Sequence, residues 1–215
     1  MEAETITERD APDGGAKRRQ VMDGARAAFL NAGFDGASMN DIARAAGVSK
    51  GTLYAYFESK EQLFEALIRQ DKEQQAERLC IFPPEGGDLG VLLRDFGRRL
   101  LEMTMRPEAI AQVRIVIAAT ARFPSLGRAF YEAGPGYGIR QLAEQLEAFS
   151  KRGALKVANP EVAARQFINL CCADFHKQVL FGVVEAPSPE AIEKAVDQAV
   201  EVILKAYAPA APAPA

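Results

Sequence analysis

From about Ala16 to Tyr207 apolar residues recur every three to four positions, and helix-capping residues fall at the breaks. Stripes of that period are buried by packing helix on helix, and no segment shows the alternation of a half-buried strand. The expected fold class is therefore all-α. A first helix turns Val21, Ala25, Ala28, Phe29 and Ala32 inward and ends at Asn31-Ala32-Gly33. Ser38 caps a second, with Asp41 as the reciprocal acid; Ile42, Ala45 and Ala46 face inward and Gly47 stops it. Ser49 caps a third, with Val48 and Leu53 at hydrophobic-staple spacing and Leu53 and Phe57 as its inward pair. Ser59 and Gln62 open a fourth helix that runs toward Leu79.

After the break at Pro83-Pro84 and Gly86-Gly87, the same period predicts helices over residues 89–105, 107–122, 124–133, 135–151, 160–181 and 189–207. The ends lack the period. Residues 1–15 carry Pro12, Gly14 and Gly15, and residues 208–215 read APAAPAPA, so both are expected to be disordered tails. Residues 16–62 are expected to form one domain and 63–207 a larger helical one. Their boundary lies inside the fourth helix, since the helical pattern crosses it without a linker.

The second and third helices are joined by Gly47-Val48-Ser49, the short glycine-containing turn of a helix-turn-helix unit. In such a unit the second helix of the pair can enter the DNA major groove. Leu53 and Phe57 occupy its inward side, so Lys50, Gly51, Tyr54 and Ala55 must lie outward, with Thr52 and Tyr56 on the flanks. A lysine reaches a guanine edge or a phosphate, and a glycine lets the helix end come close. Threonine and tyrosine hydroxyls donate to phosphate oxygens. The backbone N–H groups behind Ser49 also suit an anion. The whole chain has a net charge of −3, which excludes DNA binding by bulk positive charge. Within residues 16–60 the balance reverses. There Lys17, Arg18, Arg19, Arg26, Arg44, Lys50 and Lys60 outnumber Asp23, Asp35, Asp41 and Glu58.

The stretch SMNDIARAAGVSKGTLYAYFESKEQLFEAL resembles the N-terminal domain of TetR/AcrR-type transcriptional regulators, over about residues 16–70. The resemblance implies operator contacts from the recognition helix and the start of the fourth helix. Carried over by position, the candidates are Ser38, Ser49, Lys50, Gly51, Thr52, Tyr54, Tyr56 and Lys60. The segment RPEAIAQVRIVIAATARFPSLGRAFYEAGP is similar to the AefR-like C-terminal domain of these regulators. The fold it implies is an N-terminal three-helix DNA-binding domain followed by a larger helical domain for ligand binding and dimerisation. The implied partners are double-stranded operator DNA, a small-molecule effector and a second copy of the chain. Repression is the expected mode. A helix-turn-helix unit that binds protein instead of DNA is the competing reading; it predicts no salt-dependent, sequence-specific DNA binding.

The second half fits those expectations on its own terms. Over residues 160–181, Ala164, Ile168, Cys171 or Cys172, Phe175 and Val179 form one apolar seam, and Ala163, Phe167 and Leu170 form another. A helix apolar on two sides needs covering on two sides. The last helix carries a largely small-residue stripe, Ile192, Ala195, Val196, Ala199, Val200 and Ile203, which favours close helix approach. Dimerisation through residues 159–207 is the expectation. The helices between supply large apolar groups for a pocket or a closed core. The pocket candidates are Phe96, Leu100, Met103, Ile110, Val113, Ile117, Phe130, Tyr131, Phe167, Cys171 and Phe175, with Arg114 set among them for an anionic group or an internal partner. His176 follows Cys172 by four positions, but no orienting acid, oxyanion site or further soft ligand accompanies the pair. Neither catalysis, a metal nor a cofactor is expected. Cys80, Cys171 and Cys172 are too few for a disulfide framework. No run approaches the roughly 18 apolar residues of a membrane span, and the acidic start lacks the apolar core of a signal peptide. A cytoplasmic protein is the expectation.

Overall fold

The computed structural model describes residues 12–82, 87–173 and 175–209. Among these the secondary structure is helical, with no strand, as the all-α reading requires. Two compact units are present. One comprises the residues up to Gln70 together with Ile115–Ala129; the other comprises Asp71–Arg114 and the residues from Phe130 onward. The expected division at residues 62 and 63 did not anticipate that 115–129 would group with the N-terminal unit. The expected tails lie largely outside the described residues, although the first helix already begins at Pro12.

The first unit contains α1 (Pro12–Gly36), α2 (Met39–Ala46), α3 (Lys50–Tyr56) and the first part of α4 (Lys60–Leu79). Helix α1 kinks at Gly33, whose φ of 70° is open to glycine at little cost. Beyond the kink Phe34 turns inward, and Phe29, Phe34 and Phe64 cluster with ring centroids 4.7–5.9 Å apart. This is why Ala32, expected in the buried stripe, is exposed: the kink ends the stripe before it and Phe34 replaces it. In α2 the buried arc is Ile42, Ala43 and Ala46, so Ala45 is exposed rather than inward. Two turns of helix have room for one contact face, and α1 meets it at Ala46, which lies against Gly24.

The second unit packs α5 (Leu89–Thr104), α8 (Pro135–Lys151), α9 (Pro160–Cys172) and α11 (Pro189–Ala206) around Leu93, Phe96, Leu101, Leu146, Phe167 and Val200. Gly97 permits this closeness. A Cβ there would lie 2.9 Å from Val196 Cγ1 and 3.2 Å from Cys171 Sγ. Helices α6 (Pro107–Thr120) and α7 (Pro124–Ala133), like α4, run from one unit into the other.

The single helix expected over 160–181 is two: α9 ends at Cys172 and α10 spans His176–Leu180. The Ala173 and Phe175 amides bond three residues back, to Leu170 and Cys172, rather than four. Such tightening breaks the α ladder, and apolar spacing alone does not register it. The small-residue stripe of α11 is also spent inside the protomer, since all six of its members are buried. No helix among the described residues is long and apolar enough to cross a membrane, and all three cysteines are free.

Candidate nucleic-acid interface and inner cavity

Caps build the helix-turn-helix unit. Ser38 Oγ accepts the Asp41 amide, and the Asp41 carboxylate returns to the Ser38 amide, completing the predicted capping box. The Ser38 hydroxyl, which donates to the Asp41 carboxylate, and then the Ser38 amide hold that carboxyl below its usual range. Gly47 closes α2 in the left-handed conformation (φ 62°). Ser49 Oγ then accepts the Thr52 amide at 3.0 Å and starts α3. At the head of α4, Ser59 Oγ accepts the Gln62 amide, while Gln62 Oε1 accepts the Glu58 amide at 2.7 Å, one residue before the cap.

With these ends in place, α3 presents two unlike faces. Leu53 (0% exposed) and Phe57 (3%) are sealed inside, while Tyr54 stands half out at 50%. Lys50, Gly51 and Ala55 are exposed beside it, and Thr52 and Tyr56 sit at the flanks. Lys50 makes no hydrogen bond or ion pair with the described residues. Ser38 and Ser49 are exposed, but both hydroxyls already serve as caps, and Ser49 Oγ lies 2.8 Å from Thr52 Oγ1. Lys60 is placed differently from the other candidates. Its Nζ donates to the Phe34 and Ala37 carbonyls at 2.7 and 3.0 Å and lies 4.5 Å above the Phe34 ring. It ties the start of α4 to the end of α1. Arg18, one of the basic residues at the start of the chain, stacks over Phe57 at 5.4 Å.

The second unit holds a cavity of about 300 Å³. Of the expected pocket residues, Leu100, Met103, Val113 and Phe130 line it. The others lie elsewhere. Phe96, Ile110, Phe167 and Cys171 are packed into the helical core, and Phe175 packs against that core. Ile117 (58% exposed) and Tyr131 (51%) are on the surface. Arg114 does not line the cavity: its Nε and Nη2 donate to the Leu180 and Val179 carbonyls at 2.9 and 3.0 Å, closing the end of α10. Its charge satisfies backbone that α10 leaves open.

Several cavity residues escaped the sequence reading, among them Lys72, Gln75, Ile168, Asn169, Cys172 and His176. Lys72 is only 7% exposed. Its Nζ donates to Gln75 Oε1 at 2.8 Å and lies 4.3 Å above the Phe130 ring. Burial pushes its pKa down to about 8, against the opposing pull of Asp71. Burial also lowers that of His176 and pushes the Cys172 thiol up to about 11. The thiol is thus a poor nucleophile and a poor metal ligand at neutral pH. Among the described residues no group of three His, Cys, Asp or Glu side chains could hold a metal ion. One signal for Lys72 was available in the sequence: it lies four positions after Ile68 and four before Ala76, in line with the buried face of α4.

Residues 21–67 match the family model for bacterial regulatory proteins of the tetR family, and residues 92–209 match that for the AefR-like transcriptional repressor C-terminal domain. Over 61 residues the chain is 43% identical to the HTH-type transcriptional repressor Rv1474c of Mycobacterium tuberculosis, covering 28% of this chain and 33% of that protein. It is also 43% identical over 61 residues to the HTH-type transcriptional regulator UidR of Escherichia coli, covering 28% and 31%. These matches span about a third of the relatives' length. Two solved structures are similar along nearly the whole chain. The flavonoid-responsive regulator FrrA has a TM-score of 0.81 at 39% identity, covering 92% of this chain and all of that one. A TetR-family regulator from Mesorhizobium loti has a TM-score of 0.78 at 29% identity, covering 90% and 98%.

Proposed function

Because this chain belongs to the TetR family of bacterial regulatory proteins, with an AefR-like C-terminal domain, we propose that it is a homodimeric transcriptional repressor released from its operator when a small, mostly apolar molecule fills the inner cavity. The outward face of α3 carries this reading. Lys50, Gly51 and Tyr54 stand together with Thr52 and Tyr56 at the edges, on a helix whose other side is anchored by Leu53 and Phe57. Lys50 reads a base edge or a phosphate, Tyr54 donates to a phosphate, and Gly51 admits the backbone. Ser38, Ser49 and Thr52 order the helix ends that carry them. Lys60 acts by fixing α4 to α1 rather than by reaching the DNA.

Paired recognition helices about 34–36 Å apart engage successive major grooves, which requires a dimer. The α11 stripe is spent within the protomer, so a second copy covers exposed apolar residues of α9 and α11, among them Val162 (42%), Leu170 (36%) and Val202 (49%). The cavity accommodates the effector, at the lower end of the roughly 300–1,000 Å³ of small-molecule sites. Because FrrA is named as flavonoid-responsive, polyphenolic aromatics are the first class to try. Helix α4 supports the coupling. One continuous helix carries Lys60 at the DNA-binding unit and Lys72, Gln75, Ala76 and Leu79 on the cavity wall. A ligand that favours one placement of α4 shifts the dimer between two recognition-helix spacings by differential binding.

The test is to sequence genomic fragments retained by the purified protein and to measure the recovered site by fluorescence anisotropy over a salt series. Sequence-specific binding that weakens with salt, and weakens again with a flavonoid present, is the expected result. Retention of no preferred sequence would leave a protein-binding module instead.

A further inference from the structure

We propose that Lys72 makes the cavity selective for a mostly apolar molecule bearing one acidic oxygen, a phenol or a carboxylic acid, whose anion pairs with the Lys72 ammonium. The inference rests on the ligand-responsive reading above and names the ligand class for that site.

A lysine is an expensive residue to place in such a wall. Only 7% of Lys72 is exposed, and its surroundings include Phe130, Leu100, Met103 and Val113. The site is shaped to hold it. Gly134 leaves the space for the lysine stem, since a Cβ there would lie 3.0 Å from Lys72 Cδ. Gln75 Oε1 and the Phe130 ring face then orient the ammonium, using an amide oxygen and a π-cloud that carry no full charge. The neighbouring Asp71 carboxylate accepts from Gln112 Nε2 at 3.1 Å and opposes the loss of the Lys72 proton without lining the cavity. The other titratable groups on the wall are Cys172 of α9 and His176 of α10. Burial favours the neutral form of both. At neutral pH Lys72 is therefore the formal charge among the residues that line the cavity, and it sits in a low-dielectric wall where an ion pair strengthens. An apolar molecule without an acidic group leaves that buried cation with only the through-space attraction of Asp71. One with an anionic oxygen pairs it and forms a charge-assisted hydrogen bond.

The experiment uses the full-length protein and two probes that differ by one hydroxyl, 7-hydroxyflavone and flavone, titrated at neutral pH by calorimetry and absorbance. Wild type is expected to bind 7-hydroxyflavone at least about tenfold more tightly than flavone, with the red-shifted absorbance of the phenolate developing on binding. Lys72→Met keeps the unbranched apolar stem, one atom shorter, without its charge. It is expected to abolish both the preference and the phenolate band while binding flavone at least as well as wild type. Equal affinities in wild type, or a preference that survives Lys72→Met, would overturn the assignment and leave a ligand-responsive cavity standing. Binding of neither probe would overturn both. If the variant does not fold, the wild-type pair and the spectrum decide alone. Operator binding by the same ligand-free preparation separates the DNA claim, since it does not depend on Lys72.

Discussion

Gly24 lies directly against the backbone of Ala46, so that a Cβ at residue 24 would overlap the Ala46 nitrogen, Cα and Cβ. One turn earlier, Gln20 Nε2 donates to the Ala46 carbonyl at 2.6 Å. Helices α1 and α2 therefore meet backbone to backbone, and α3 takes its position from that contact through the Gly47 turn. Backbone cannot give way as a flexible side chain can. Gly24→Ala is expected to destabilise the DNA-binding unit by about 3 kcal/mol or more despite the better helix propensity of alanine. Urea unfolding read by circular dichroism, alongside operator binding, checks this; wild-type stability in the variant would refute the packing.

At the proposed DNA face, Lys50→Ala is expected to lower operator affinity by about 1–3 kcal/mol and to relax preference at one base position if the ammonium reads a base edge. Tyr54→Phe should weaken binding more evenly across sequences, as loss of a phosphate contact does. Anisotropy titrations at fixed salt, with thermal unfolding to confirm intact folding, measure both. Unchanged affinity in both variants would remove this face from the interface.

Lys72 makes stability depend on alkaline pH. Its pKa is about 8 in the folded protein and near 10.5 as an ordinary lysine. Between those values the unfolded chain keeps a proton that the folded protein has released, so stability rises with pH across that window. Below it both states are charged and the burial penalty stands in full. Lys72→Met should remove the alkaline rise and add about 1–3 kcal/mol at neutral pH. Urea midpoints of wild type and variant on either side of the window test the sign.

Arg114 donates to two backbone carbonyls at the end of α10. Arg114→Met is expected to cost about 1 kcal/mol through the lost bonds to the Val179 and Leu180 carbonyls. Affinity for an acidic probe should not change. A selective loss of acidic-probe binding with stability intact would instead restore Arg114 as the anion receptor.

Two charges placed two residues apart, on opposite sides of α11, separate folding from association. Val202→Asp alters a residue 49% exposed and should yield folded monomers, whereas Val200→Asp alters one 1% exposed and should unfold the second unit. Sedimentation and circular dichroism distinguish these outcomes; a Val202→Asp protein that remains a dimer would exclude this part of α11 from the interface.

The two halves of the site differed in how much of them could be read in advance. The α3 face depended on local rules. Ser49 had to cap, Leu53 and Phe57 had to turn inward four residues apart, and Lys50 and Tyr54 were left outside. The cavity depended on which large side chains fail to fill the space between helices distant in sequence. Apolar spacing marked Phe96, Phe167 and Leu100 alike, and all three join the core, yet of the three Leu100 lines the void. Lys72, inside the polar run RQDKEQQ, looked like one more solvated charge.

Helix identity, the caps at Ser38, Ser49, Asn159 and Ser188, and the outward face of α3 were settled by interactions within a few residues, which any stretch of sequence carries with it. The break between α9 and α10, the inward burial of the α11 stripe, the tethering of Lys60 and Arg114 and the charged cavity wall were settled only when remote segments packed. Periodicity says that a face must be covered; which partner covers it, and where the fit leaves a gap, is decided by the shapes and backbone approaches of helices that the chain brings together from far apart.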